Sequence, residues 1–370
     1  MIEGHDILVE EERIHTIAQN LHDAQAQVFS FPSTYSLVPG RIDLHIHGAG
    51  GADVMDGTRE AIETIARKLP EEGVTGFLGT TMTESVSTIE KAIKNAREYS
   101  LQPDEQGASL LGIHLEGPFL SPLQTGAQSK EHLLLPNLPL FQYWQTLSGN
   151  GIRLVTLAPE LPGAIPFISY LRETGVVPSI GHSNATYDEA IKGIDAGATH
   201  MTHLFNAMTG LHHRDPGVVG AGLFQQEVKV EMIADGIHVR KELINLAYRI
   251  KGREGFILVS DAMRAKCMGD GHYELGGQEV IVSGGKATLL NGILAGSVLK
   301  LDEGVKRMIE GSICTLEDTV YLTSVNPAKQ LNVYDRKGSI TTGKDGDLVV
   351  LDEHYDVVMT LCRGRVVYQR

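Results

Sequence analysis

Cysteine is scarce in this chain: Cys267, Cys314 and Cys362 stand singly among 370 residues, with no pair at CxxC spacing. That excludes a disulfide-stapled scaffold and points to a reducing compartment, since structural bridges persist in oxidising ones. No run of about 18 apolar residues occurs, so no segment is expected to span a membrane. The opening stretch, Met1-Ile2-Glu3-Gly4-His5, lacks a basic start leading into an apolar run, so no secretion leader is expected and the location is read as cytoplasmic. Basic residues are in deficit, 32 Lys and Arg against 46 Asp and Glu, for a formal charge of -14. Such a field repels polyanions and argues against nucleic acid or anionic lipid as partners. A small phosphorylated molecule is still admitted, because one bound cation or one Arg can set the local field.

With 42% hydrophobic and 21% charged residues, the chain has the composition of a soluble globular protein with a sizeable core. Its length suits one barrel of roughly 250 residues with a small appendage better than three modules. Short apolar, β-rich runs at 41–47, 74–80, 110–116, 152–158, 176–182, 198–203, 228–234 and 256–261 alternate with helical patterns such as 61–69, 89–99, 187–196 and 241–251. Eight strands interleaved in this way predict an α/β fold, a (β/α)8 TIM barrel, with a doubly wound open sheet as the competing arrangement. Strand-like segments at 6–9, 13–17, 348–351, 357–361 and Val366-Val367-Tyr368 flank it, separated by turn residues such as Lys344-Asp345-Gly346-Asp347. They predict a small β-sandwich domain built from both termini, residues 1–38 and 330–370, around a barrel at 39–329. A β-hairpin insertion is expected near 272–292, where Gly276-Gly277 and Gly284-Gly285 supply turns.

The ionisable residues fall at the C-terminal ends of the expected strands, the face where barrel enzymes carry their chemistry. His45 and His47 end the first strand two residues apart, so both imidazoles can face one cation. Glu116 ends the third strand before Gly117-Pro118, and a carboxylate in an apolar segment needs a partner such as a divalent cation. His182 closes the fifth strand, His203 the sixth and Asp261 the eighth. An acid at that last position can take a proton from a water activated by a metal. Each of these residues taken singly reads as readily as a core histidine, a surface ion pair or a helix cap. Five strand ends converging at once are more simply explained by metal binding.

These residues sit in Pro39-Gly40-Arg41-Ile42-Asp43-Leu44-His45-Ile46-His47-Gly48, His114-Leu115-Glu116-Gly117-Pro118-Phe119, Gly181-His182-Ser183, Thr202-His203-Leu204-Phe205-Asn206-Ala207-Met208, Ala234-Asp235-Gly236-Ile237-His238 and Val259-Ser260-Asp261-Ala262. As a set the motifs closely resemble the N-acetylglucosamine-6-phosphate deacetylases of the amidohydrolase superfamily, from about residue 5 to the end. The resemblance implies hydrolysis of the acetamide of N-acetylglucosamine 6-phosphate, with one or two divalent ions, Zn or Fe, per subunit. By it, Glu116, His182 and His203 hold the principal ion and His45 and His47 a second, with Glu116 between them. Asp261 is implied as general base and acid, and His238 as the group polarising the acetyl carbonyl. Asn206, Ala207, Arg214, Gln128 and Ala295 are implied as substrate-binding positions, Arg214 through the phosphate and across a homodimer. Two departures stand out. The segment before residue 6 is shorter than in most relatives, and the 120–128 loop lacks their basic residues near Gln124 and Thr125, which loosens the choice of hexosamine.

The nearest alternative substrate is therefore N-acetylgalactosamine 6-phosphate. Cyclic-amide hydrolases of the superfamily are disfavoured, because the fourth strand offers no Lys in Ile152-Arg153-Leu154-Val155-Thr156-Leu157-Ala158. A non-catalytic sugar-phosphate binder and a metal-free lyase or isomerase barrel are the alternatives of other classes. The first is separated by acetate release, the second by metal analysis.

Overall fold

The computed structural model describes residues 4–311 and 313–370. The first three residues of the expected small domain lie outside the described residues. The chain opens with the hairpin strands β1 (Asp6–Glu10) and β2 (Arg13–Ala18), followed by β3 (Ser36–Pro39) and β4 (Arg41–Ile46). The short pair β5 (Gly48–Ala49) and β6 (Ala52–Asp53) comes next, then β7 (Val74–Thr80), β8 (Ser109–Glu116), β9 (Ile152–Leu157), β10 (Val177–Ile180), β11 (His200–Met201), β12 (Lys229–Ile233) and β13 (Phe256–Val259). Strands β4 and β7 to β13 form one parallel eight-stranded sheet in sequential order.

The helices form where sequence periodicity and caps agree. Helix α1 (Arg59–Lys68) buries Ala61, Ile62, Ile65 and Ala66 on one face, and the Thr58 side chain accepts from the Ala61 amide at its start. Helix α2 (Val86–Leu101) is capped by Ser85. Helices α3 (Leu138–Leu147) and α4 (Ala164–Glu173) follow, and α5 (Tyr187–Asp195) begins with a capping box of Thr186 and Glu189. Helix α6 (Gly217–Phe224) is almost wholly buried, whereas α7 (Lys241–Lys251) exposes a polar face.

The sheet closes between its first and last strands, and a carboxylate assists the closure. The Asp261 amide donates to the His45 carbonyl at 2.8 Å, and the His47 amide to the Ala262 carbonyl at 2.8 Å. Asp43 accepts from the Ser260 hydroxyl at 2.5 Å and from the Ser260 amide at 3.3 Å. Residues Ile42, Leu44, Leu78, Leu154, Ile257 and Val259, from β4, β7, β9 and β13, pack into one buried apolar cluster.

Three strands are shorter than their sequence pattern predicts. Pairing in β10, β11 and β13 stops before His182, His203 and Asp261, whose φ angles are +48°, +30° and +47°. A left-handed backbone cannot continue a ladder, so the chain turns at the residues whose side chains must swing toward the mouth.

After the barrel strands, β14 (Gly271–Leu275), β15 (Gln278–Ser283) and β16 (Lys286–Leu289) form an antiparallel three-stranded sheet, two hairpins in succession. Helix α8 (Leu301–Glu310) follows. The chain ends in β17 (Leu348–Leu351), β18 (Val357–Cys362) and β19 (Arg365–Gln369), which join β3 in a separate four-stranded sheet. The β1–β2 hairpin meets this C-terminal region where the Ile14 amide donates to the Lys344 carbonyl at 2.8 Å. Both termini therefore contribute to the small β region. No described helix is long and apolar enough to cross a membrane.

Just past the seam, Lys266 is fully buried and its Nζ lies 2.6 Å from Glu72 Oε1, which is itself buried. Burial pushes the Glu72 carboxyl up to about 7 even though Lys266 favours its ionised form. Removing one partner strands a charge in an apolar setting, so Lys266→Met is expected to destabilise the fold by about 3–5 kcal/mol. A thermal unfolding midpoint equal to wild type would show that this pair does not stabilise the fold.

Candidate metal centre

Six side chains that the sequence placed at strand ends meet at the barrel mouth. Glu116 lies at the centre. Its Oε1 is 3.2 Å from His182 Nε2, 3.1 Å from His203 Nε2 and 3.4 Å from His45 Nε2, and its Oε2 is 3.2 Å from His47 Nε2. His182 and His203 bring their Nε2 atoms within 3.0 Å of each other. Asp261 Oδ1 stands 3.3 Å from both His45 Nε2 and His47 Nε2. All six are buried. Two groups, His45 with His47 and Glu116, and Glu116 with His182 and His203, have ligand atoms close enough to hold an ion each.

The hydrogen bonds on the far side of each ring decide which nitrogen faces inward. His182 Nδ1 lies 2.9 Å from the Gln124 carbonyl oxygen, which only accepts, so Nδ1 carries the proton. His45 Nδ1 lies 3.0 Å from the Glu231 carboxylate, which imposes the same assignment. The Nε2 lone pairs of both rings thus point at carboxylate oxygens, and His45 Nε2 makes no hydrogen bond. Lone pairs opposed to anions repel unless positive charge sits between them.

The electrostatics express the same demand. Burial opposes ionisation of Glu116, yet the His45, His182 and His203 imidazoles outweigh it and hold the carboxyl well below its usual range. Burial also disfavours a charged His47, but Asp261 and Glu116 overcome it and raise His47 to about 9. His45 is raised well above its ordinary value against burial by Asp261, Glu116 and Glu231. Protons on these rings do what a divalent cation does better, because an ion meets several lone pairs at once.

Two residues support the cluster in ways the sequence did not show. Gln128, given to the substrate by resemblance, is buried; its Nε2 donates to Glu116 Oε2 at 2.7 Å and its Oε1 accepts from the Thr83 amide at 2.7 Å. Both ends of its amide are engaged, so it orients Glu116. Glu231, on β12, received no role from the sequence. It accepts from His45 Nδ1 at 3.0 Å, His200 Nε2 at 2.9 Å and the His203 amide at 3.1 Å. The available signal was a single carboxylate inside the apolar run Val230-Glu231-Met232-Ile233. His114 packs edge-on to His45 with centroids 4.5 Å apart and meets Thr156 Oγ1 at 2.7 Å. Burial holds it well below its ordinary value, in keeping with a neutral packing residue.

The remaining expected site residues lie outside this cluster. His238 is tied by Nδ1 to Asp235 Oδ2 at 2.6 Å. Asn206 donates to the His203 carbonyl at 3.2 Å, and Ala207 has a φ of +48° with its carbonyl accepting from Ser183 at 3.1 Å. Ala295 is buried beyond the hairpins, its amide donating to the Ala287 carbonyl at 3.2 Å. Arg214 is exposed, with Nη1 2.6 Å from His213 Nε2, and no hydrogen bond or ion pair among the described residues ties it to the cluster.

Residues 36–367 match the model of the Amidohydrolase family. The chain is 46% identical to N-acetylglucosamine-6-phosphate deacetylase of Bacillus subtilis (strain 168), over 91% of this chain and 86% of that one. It is 38% identical to N-acetylgalactosamine-6-phosphate deacetylase of Escherichia coli O157:H7, over 89% of this chain and 87% of that protein. Among solved structures, N-acetylglucosamine-6-phosphate deacetylase from Pasteurella multocida superposes with a TM-score of 0.93 at 30% identity, over 100% of this chain and 96% of that one.

Proposed function

The chain belongs to the amidohydrolase family, and from that premise we propose that it hydrolyses the acetamide of N-acetylglucosamine 6-phosphate to acetate and glucosamine 6-phosphate. The observation that carries the reading is one buried carboxylate shared by four imidazoles, with Asp261 beside them, in a chain so closely related to deacetylases. The barrel at 39–329 is taken as the catalytic domain.

We assign Glu116, His182 and His203 to a principal ion and His45, His47 and Glu116 to a second, with Zn or Fe suited to this imidazole and carboxylate set. When bound, such an ion lowers the pKa of water toward about 7 and so supplies a nucleophile at neutral pH. Asp261 is placed to accept a proton from the attacking water and would return it to the departing amine nitrogen, since one carboxyl group serves both steps at short range. His238 faces the acetyl carbonyl. Asp235 holds the ring through Nδ1, which leaves Nε2 as the ring atom free to turn toward the carbonyl oxygen, where the developing oxyanion needs stabilising.

Asn206 and Ala207 present backbone groups to the sugar phosphate, Arg214 offers a planar fork to two phosphate oxygens, and the Ala295 loop closes over the ring. An Arg214 exposed in one subunit suits a homodimer in which it completes the neighbour's phosphate site. The expected location is the cytoplasm, where phosphorylated sugars are handled.

Acetate release is the direct test. We expect turnover of N-acetylglucosamine 6-phosphate that disappears on chelation and returns with added Zn or Fe. Turnover indifferent to chelator would remove the ions from the reaction. The relative that is named for the galactosamine substrate keeps one second reading open. Faster release from N-acetylgalactosamine 6-phosphate in a side-by-side assay would select it.

A further inference from the structure

Glu231 stands behind the cluster and touches no open space, yet its three contacts all lead into the site. Its Oε2 accepts from His45 Nδ1 and from the His203 amide, and its Oε1 accepts from His200 Nε2. The residue is fully buried, and so are His45 and His200. A carboxylate in such a position is costly unless its charge is answered, and here the answer comes from two imidazoles and one backbone amide.

The two ligand groups differ in what backs their imidazoles. His182 rests its Nδ1 on a neutral carbonyl, that of Gln124. His45 rests its Nδ1 on the full charge of Glu231. A carboxylate behind a ligating imidazole makes the ring a stronger donor and offsets part of the incoming ion's charge. We propose that Glu231 is the positioning residue that lets this chain hold a second ion, acting through His45 on the His45–His47–Glu116 group and not on the affinity of the Glu116–His182–His203 group. The inference rests on the metal-dependent reading above and adds to it the origin of a two-ion centre.

Glu231→Gln is suited to the test, because the amide can occupy the same space. Its oxygen can still accept from His45 and from the His203 amide, and its NH2 can face His200 Nε2 once that ring moves its proton to Nδ1, an atom now without a partner. The charge is removed and the shape kept.

Metal-free protein titrated with Zn, read by calorimetry and by elemental analysis after gel filtration, is expected to take up two ions per chain. In Glu231→Gln the weaker step should lose about 10–100-fold in affinity while the tighter step stays unchanged. Glu231→Asp, which keeps the charge but draws it back by one methylene, should weaken the same step by less; it also serves should the Gln variant not fold. His45→Gln should abolish that step, and adding Glu231→Gln to it should change nothing further. Superimposable titrations of wild type and Glu231→Gln overturn the proposal, as does equal weakening of both steps, which would place Glu231's effect in the His203 backbone. A wild type that binds one ion and still releases acetate overturns the inference alone; one that binds none overturns the metal-dependent reading itself.

Discussion

Replacing Asp261 with Asn is expected to cut turnover by about 10²–10⁴-fold, the range that a positioned general base and acid contributes. The amide keeps the size and one oxygen of the carboxylate, so the 3.3 Å contacts to His45 and His47 can persist. It cannot accept a proton from water at neutral pH. Metal content should therefore stay near wild type while kcat collapses, a combination that separates proton transfer from ion binding. Turnover close to wild type in a metal-replete Asp261→Asn protein would remove this residue from the chemistry.

A larger loss is expected from Glu116→Gln. Glu116 is the one side chain common to both ligand groups, and four imidazoles approach its two oxygens within 3.4 Å. Neutralising it withdraws the negative charge common to both ligand groups, so the loss of metal affinity should exceed the roughly 10–100-fold that a supporting residue commands. We expect elemental analysis to find both positions depleted and acetate release to fall to background. Retention of two ions would mean that the imidazoles and Asp261 suffice, and the central place given to Glu116 would be wrong.

Much of this site could be read from the order of residues because barrel strands end where chemistry begins. His45, His47, Glu116, His182, His203 and Asp261 each close an apolar run, and the structure brings all six together. The 241–251 helix was equally legible, since its apolar spacing and lysine-flanked ends coincide with α7. Strand lengths were not. The 198–203 run pairs only over His200–Met201, because the turn of His203 into a left-handed conformation is dictated by where its ring must point and not by its neighbours. Glu231 stayed hidden for another reason: its partners His45 and His200 lie 186 and 31 residues away, beyond any periodic signal. The Gln128 contact with Glu116 was not legible either, because an amide in a loop carries no mark of what it will face.

The seam has a consequence for the nascent chain. Asp43 must wait for Ser260, 217 residues later, before its buried carboxylate has the hydroxyl and amide it needs, and His45 waits as long for Asp261. A ribosome that has delivered seven of the eight barrel strands has produced a chain that already carries Glu116 and its four imidazoles but still lacks Asp261, so no product shortened before the last strand carries the whole site. Cavity and catalyst come into being together, with the arrival of the last strand.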